Sequence, residues 1–150
     1  MSLADKAEAL FLEGYNCSQA VFGAIAPELG LDADTAMKIA SSLGGGMGRL
    51  REVCGAVSGM FMAAGLSNGY ATPEKGQVKA EHYALIRELA EEFCARHGSI
   101  VCREILGTGA EIGGNPEART AEYYARRPCL RCIRDAAEIY EKKLMKNEKA

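Results

Sequence analysis

Apolar residues recur at helical spacing along most of the chain, and no segment alternates apolar and polar residues as a strand does. Segment 3–13 carries apolar residues at positions 3, 7, 10 and 11, which form one face of a helix. Segment 17–29 follows Asn16, which forms a capping-box pattern with Gln19, and Gly30 is a typical stop signal. The pattern therefore predicts two helices at the start of the chain.

The same spacing continues to the end of the sequence and predicts an all-α protein. The other predicted helices are 32–43, 53–66, 73–96 with Pro73 at the first position, 100–106 capped by Ser99, and a last helix that begins at Pro128. We expect a loop at 107–116 and frayed residues around Lys146 and Lys149. The chain is thus predicted to be a single helical domain, residues 1–150, with about six helices in a bundle and a Gly-rich loop at residues 44–48.

Charge and length exclude several classes of protein. The formal net charge is −2, from 18 basic and 20 acidic residues, so nothing favours nucleic acid or an anionic membrane as a partner. The arginines at 126, 127, 131 and 134 alternate with acidic residues and are interpreted as a solvated helix face. The longest mostly apolar run, 53–66, is broken by glycines and shorter than the roughly 20 residues that a membrane span needs. The N-terminus lacks a secretory signal pattern, so we predict a cytoplasmic protein.

Cysteine is the unusual component of the composition. The chain has six, at Cys17, Cys54, Cys94, Cys102, Cys129 and Cys132. In a reducing cytosol such a set indicates catalysis, metal binding or redox sensing more than a static disulfide framework.

Four of these cysteines, Cys17, Cys54, Cys102 and Cys129, fall at the predicted starts of four helices. Unpaired N–H groups and the positive end of the helix dipole favour a thiolate there, so the pKa of each thiol is predicted to be lowered. Thiolates act as nucleophiles, metal ligands and reductants of disulfides. The alternative is that free cysteines serve as small buried hydrophobes, and Cys94 fits that reading because it continues an apolar helical stripe.

The glycines beside Cys54 suggest why bare backbone is needed there. The segment 44–48, with Gly44, Gly45 and Gly46 at its start, can turn successive N–H groups inward as a nest that stabilises negative charge. Gly55 likewise leaves the first helix position after Cys54 without a side chain. We therefore predict that these four glycines approach a thiolate or a bound cofactor closely.

Two shorter patterns give weaker signals. Cys129 and Cys132 form a CxxC pair, but no βαβ pattern surrounds it and no histidine follows it, as a c-type haem site would require. Cys94 and His97 could share a helix face, as in a Cys-His hydrolase, although no third group that would orient the histidine is evident.

Several segments together resemble the C_GCAxxG_C_C family, whose members are described as redox-active. The matching stretches are NCSQAV at 16–21, GGGMG at 44–48, CGAVSG at 54–59, GSIVC at 98–102 and the cysteine at 129 before IRDAAEI. The resemblance implies that the family's four cysteines are Cys17, Cys54, Cys102 and Cys129. Some relatives resemble a domain of split-Soret cytochromes, a helical dimer with haem and a cysteine-bound iron–sulfur centre, but this chain lacks the CxxCH for haem.

Three functions remain open from the sequence. In the first, Cys54 is the attacking thiolate of a thiol–disulfide redox protein, and Cys17, Cys102 or Cys129 resolves the mixed disulfide, with Cys132 as a helper. In the second, the family's four cysteines bind an iron–sulfur cluster or zinc. In the third, the protein is a helical homodimer with inert thiols. Its seam would be the stripe Gly55, Gly59 and Ala63, which can equally pack inside one chain. The sequence identifies no substrate, electron donor or redox partner.

Overall fold

The computed structural model describes residues 1–73 and 76–145, and within them the chain is all-α with no strand, as predicted. Eight α-helices are present in this part: α1 (Leu3–Leu12), α2 (Cys17–Ile25), α3 (Ala33–Ser41), α4 (Gly55–Asn68), α5 (Gly76–His97), α6 (Cys102–Leu106), α7 (Ala121–Arg126) and α8 (Cys129–Tyr140). A 3₁₀ turn, Ala26–Leu29, prolongs α2, and a π-helical turn, Glu141–Met145, prolongs α8. The count exceeds the predicted six, and the short α7 has no counterpart among the predicted helices. The residues expected to fray, around Lys146 and Lys149, lie outside the described residues.

The predicted start and stop signals of the first helices are confirmed. The Gln19 N–H donates to Asn16 Oδ1 at 2.9 Å and the Asn16 N–H donates to Gln19 Oε1 at 3.1 Å, which completes the capping box of α2. Gly30 ends the following turn with φ of 94°. Asp32 caps α3 by accepting a hydrogen bond from the backbone of Thr35. These signals act locally, so the sequence alone is enough to place these helices.

Several predicted helix boundaries differ from the observed ones by one or two residues, and two helix starts are wrong for reasons specific to their surroundings. Helix α6 begins at Cys102 and not at residue 100, because the Ser99 hydroxyl accepts the Val101 N–H and Val101 bridges Val53 in extended conformation. Pro73 lies outside α5, whose described part begins at Gly76, while residues 74 and 75 lie outside the described residues.

Helix α2 lies at the centre of the bundle and packs against α1, α3, α4 and α8. The small residues of α4 face it: a Cβ added to Gly59 would lie 3.0 Å from both the Ser18 carbonyl oxygen and Val21 Cβ. The stripe at 55, 59 and 63 therefore packs inside one chain, and its use as a dimer seam is wrong. A homodimer formed by another surface stays a prediction. None of the described helices combines the length and apolar character needed to cross a membrane.

A candidate thiol site at the helix starts

The Gly-rich segment folds into a left-handed turn. Residues 45–49 all have positive φ, between 59° and 70°. The Met47 N–H donates to the Leu43 carbonyl and the Gly48 N–H donates to the Gly44 carbonyl, so these donors close the turn on itself. The predicted nest is therefore wrong for Met47 and Gly48. A direct role of Gly44, Gly45, Gly46 and Gly55 as ligands of a cofactor stays a prediction.

The turn brings bare backbone against the elements that carry the thiols, as predicted. A Cβ on Gly46 would lie 2.7 Å from Cys102 Cβ and 2.8 Å from Arg51 Cα. A Cβ on Gly55 would lie 3.0 Å from Cys17 Cβ. The contacts at Gly46 exclude a side chain and those at Gly55 are tighter than ordinary contacts, so glycine allows the cysteine-bearing helix starts to converge.

Replacing Gly46 by alanine is expected to lower the free energy of unfolding by about 3 kcal/mol, because the methyl group meets backbone in a left-handed conformation. Gly48 is the matched control: its φ is 59°, but a Cβ there would meet nothing closer than 3.9 Å. Gly48→Ala should therefore cost only about 1 kcal/mol. Urea unfolding of the two variants measures the difference, and equal losses would show that crowding at Cys102 is unimportant.

The starts of α2, α4, α6 and α8 surround a cavity of about 320 Å³. Five cysteines line it: Cys17, Cys54, Cys102, Cys129 and Cys132. Each of the four cysteines singled out by sequence is either the first residue of its helix or, for Cys54, the N-cap. Cys94 is not among the lining residues, and it is half-buried and outside the hydrophobic core, so its role as a small buried hydrophobe stays a prediction. The fold thus gathers at one cavity the four cysteines that are far apart in sequence.

Cys17 and Cys129 form a half-buried pair, here called the outer pair. The Cys17 thiol hydrogen-bonds to the Cys129 sulfur, which raises the pKa of Cys17 well above its ordinary value. The same hydrogen bond, with the charges of Arg127, Arg119 and Arg51, lowers the pKa of Cys129 to about 7 despite its burial. Cys129 is therefore the thiolate of this pair at neutral pH, and Cys17 is the proton donor.

Cys54 and Cys132 form a second pair, here called the inner pair because their exposures are only 7% and 2%. A hydrogen bond from Cys132 lowers the pKa of Cys54, and the N–H groups of Ala56 and Val57 at the start of α4 add to this effect against burial. The pKa of Cys132 is correspondingly raised by its hydrogen bond to Cys54 and by burial. Each pair thus combines one cysteine of lowered pKa with one cysteine of raised pKa.

The prediction that all four helix-start thiols have lowered pKa values is confirmed for Cys54 and Cys129 and wrong for Cys17 and Cys102. Cys17 donates to a thiolate, so its own proton is held. Burial raises the pKa of Cys102, and the Arg51 guanidinium, with Nη1 at 3.8 Å from the sulfur, opposes that effect only in part. Position at a helix start is therefore not sufficient to make a cysteine acidic.

His97 contacts the inner pair. Its Nδ1 lies 3.8 Å from Cys132 Sγ, and its Nε2 lies 2.8 Å from Asp135 Oδ2. Because a carboxylate only accepts, Nε2 carries a proton, and a ring with no second proton presents the Nδ1 lone pair to Cys132. The predicted pairing of His97 with Cys94 is not observed. His97 contacts Cys132 instead, and Asp135 is the group that orients the histidine, which the sequence did not reveal.

Arginines surround the thiols. Arg49, Arg51, Arg119 and Arg127 line the cavity, together with one acidic residue, Glu117. The interpretation of the C-terminal arginines as a solvated face is wrong for Arg127, whose side chain is 13% exposed and donates to Glu117 at 2.9 Å. It fits Arg126 better, at 55% exposed.

Arg51 is the least expected of these residues. It is 3% exposed, has a φ of 60° and donates from Nε to the Glu111 carbonyl. Its Nη2 has no hydrogen-bond partner among the described residues. The signal in the sequence is a charged residue within a stretch of glycine and small apolar residues, three positions before Cys54.

The cysteines do not form a ready-made metal site. No group of three or more His, Cys, Asp or Glu side chains in the described part of the chain is placed to hold a metal ion. Four of the sulfurs form two hydrogen-bonded pairs, whereas the Cys102 sulfur is hydrogen-bonded to Arg51. The arrangement is that of two dithiols with a separate fifth thiol.

Comparison with known proteins gives one match. The sequence model of the family described as "Putative redox-active protein (C_GCAxxG_C_C)" matches residues 15–143. No curated protein and no solved structure matches the chain. The family description supports a redox-active cysteine protein in general terms. Since the match covers most of the 150 residues, the chain belongs to the C_GCAxxG_C_C family.

Proposed function

We propose that the protein exchanges thiols and disulfides, with the outer and inner pairs as two dithiols that act in sequence. The observation that carries the proposal is that four cysteines of one cavity interact two by two, and in each pair the pKa of one thiol is lowered while that of its partner is raised. Such a pair is the form in which a dithiol attacks an external disulfide.

The outer pair makes the external step. The Cys129 thiolate attacks one sulfur of a disulfide R–S–S–R, forms a mixed disulfide and releases RS⁻. The Cys17 sulfur then attacks Cys129, forms the Cys17–Cys129 disulfide and releases the second RS⁻, which takes the Cys17 proton. We assign the first attack to Cys129 and not to Cys54, the residue favoured from sequence, because Cys129 is half-buried and Cys54 is buried.

The inner pair then reduces the outer pair. The Cys54 thiolate attacks the Cys17 sulfur and releases Cys129 as a thiolate; the close approach of Gly55 to Cys17 supports this step. Cys132 next attacks Cys54, forms the Cys54–Cys132 disulfide and releases Cys17. The net result is that two electrons pass from the inner pair to the outer pair. The inner pair is then oxidised, and the reduced outer pair can react with a second disulfide.

His97 accepts the proton that Cys132 must lose before it attacks. Because the pKa of Cys132 is raised, few molecules hold it as a thiolate at neutral pH. The Nδ1 lone pair at 3.8 Å receives this proton, and the Asp135 contact fixes the required tautomer. The proton returns to Cys17 when that residue leaves.

The test is the number of thiols that the fully reduced protein releases from excess 2-hydroxyethyl disulfide under anaerobic conditions, less one for each mixed disulfide that mass spectrometry finds on the chain. We expect four per chain for the wild type, two for Cys132→Ser, and four for Cys94→Ser, whose cysteine is outside the cavity. Release of two by the wild type would remove the inner pair from the account, and a lower count in Cys94→Ser would contradict the assignment of the pairs.

An iron–sulfur or zinc site at Cys17, Cys54, Cys102 and Cys129 is the second candidate. Thiolates are suitable ligands for both, and these four residues line one cavity. The pairing of Cys54 with Cys132, which is outside that set, favours exchange instead. The visible spectrum of anaerobically purified protein separates the two: a broad band that dithionite bleaches would favour the cluster.

A further inference from the structure

We infer that the substrate of this site is a low-molecular-weight disulfide that carries negative charge, such as a carboxylate on each half. The inference rests on the proposed thiol–disulfide exchange and specifies its substrate class. The chemistry is unchanged: two protein thiols are oxidised, and one disulfide becomes two anionic thiols. The observation behind it is the set of arginines around the thiols.

The charge of the cavity wall is positive. Four arginines and one glutamate line it, and even if the two cysteines of lowered pKa are both ionised, the charge of the wall stays positive. When a mixed disulfide or an internal disulfide has formed, that negative charge is removed and the positive potential grows. A cationic disulfide would therefore be disfavoured throughout the reaction.

Two of the arginines have no carboxylate partner within the described part of the chain. Arg51 contacts the Glu111 carbonyl and Cys102, and Arg119 donates to the carbonyls of Phe11 and Tyr15. A buried guanidinium costs free energy unless an anion compensates it. Thiolates supply part of that compensation, and a bound carboxylate would supply more.

Glu117, the single acidic residue of the lining, is already engaged. It accepts hydrogen bonds from Arg127 and Arg126, and its pKa is lowered by Arg127, so it is charged. It therefore reduces the potential at one side of the cavity. Removing its charge should strengthen the attraction for an anion, and removing that of Arg127 should weaken it.

The size of the cavity indicates a small molecule. About 320 Å³ lies at the lower end of the range for ligand sites, which is about 300–1,000 Å³. It suits a short disulfide whose halves place a charge a few bonds from sulfur.

The experiment compares three disulfides of similar size: 3,3′-dithiodipropionate, a dianion; 2-hydroxyethyl disulfide, which is neutral; and cystamine, a dication. Each rate with reduced protein is divided by the rate of the same disulfide with free 2-mercaptoethanol, which corrects for leaving-group reactivity. The normalised rate of the dianion should exceed that of the dication at least about tenfold at low salt, and the ratio should fall at 0.5 M salt, a value chosen to shorten the screening length to roughly 4 Å.

Variants locate the effect. Glu117→Gln is expected to raise the dianion-to-dication ratio about threefold, and Arg127→Gln to lower it similarly, because one charge at the wall is removed in each. Arg87→Gln, an exposed residue of α5 outside the cavity lining, changes the net charge of the protein as Arg127→Gln does and should leave the ratio unchanged. If a variant also changes the pKa of Cys129, that change does not affect the ratio, because the same thiolate attacks all three disulfides.

The outcomes are distinct. Equal normalised rates for the three disulfides, or a ratio that neither Glu117→Gln nor Arg127→Gln moves, would overturn the inference and leave the arginines as counter-ions of the thiolates alone. Failure to react with any of the three would instead overturn the proposed exchange, and the substrate class with it.

Discussion

Cys129→Ser is expected to slow the first release of thiol from 2-hydroxyethyl disulfide at pH 7 by at least about 20-fold. With a pKa of about 7, Cys129 is half thiolate at that pH, whereas a thiol of ordinary pKa is only a few per cent ionised. The thiols left in the cavity cannot compensate. Burial still raises the pKa of Cys17 after its hydrogen bond to Cys129 is lost, the pKa values of Cys102 and Cys132 are raised, and Cys54 is buried.

The pH dependence of the wild type carries the same expectation. Thiolate forms as the pH rises through the pKa, so the initial rate should increase between about pH 6 and 8 and then level off. Cys94→Ser is the control and should keep both the rate and this profile. Equal losses in Cys129→Ser and Cys94→Ser, or a rate that still rises at pH 9, would contradict the assignment of Cys129.

His97→Gln is expected to slow formation of the Cys54–Cys132 disulfide by about 100-fold and to leave formation of the Cys17–Cys129 disulfide nearly unchanged. The range for loss of a general base is about 10²–10⁴. Asp135→Asn should reproduce this loss, because an amide that donates to Nε2 would force the proton onto Nδ1, where His97 could no longer accept from Cys132.

Glu138→Gln provides the matched control. Glu138 lies on the same helix as Asp135 and likewise pairs with Arg96, at 3.2 Å, but His97 pairs with Asp135. The measurement is quenched-flow alkylation followed by quantification of each disulfide. If His97 had only a structural role, its replacement would slow formation of both disulfides to the same extent. If Glu138→Gln slowed the Cys54–Cys132 disulfide as much as Asp135→Asn does, the ion pair with Arg96, and not the tautomer of His97, would explain the loss.

The elements of the fold could be predicted where signals are local. The capping box of Asn16 and Gln19 and the Asp32 cap involve residues three apart, so the local sequence is enough to predict them. The placement of Cys17 and Cys129 as first helical residues follows from such signals. The start of α6 was missed because it depends on the bridge between Val53 and Val101, which are distant in sequence.

The pairing of the cysteines could not be predicted for the same physical reason. Four cysteines allow three pairings and six allow fifteen, and the choice depends on how α2, α4 and α8 cross. The sequence suggests Cys132 only as a helper, since it is outside the family's four cysteines, yet one turn into α8 it pairs with Cys54. Arg127 was read as solvated because its neighbours in sequence are charged, whereas its side chain faces the cavity.

The most direct test of the account is the disulfide map of protein that has reacted to completion with 2-hydroxyethyl disulfide and has been quenched with N-ethylmaleimide. Trypsin places the six cysteines in six separate peptides, since Arg131 separates Cys129 from Cys132 and Arg96 separates Cys94 from Cys102. The account expects two internal bridges, Cys17–Cys129 and Cys54–Cys132, with Cys94 and Cys102 alkylated. A bridge that includes Cys94 or Cys102, or mixed disulfides with no internal bridge, would contradict it.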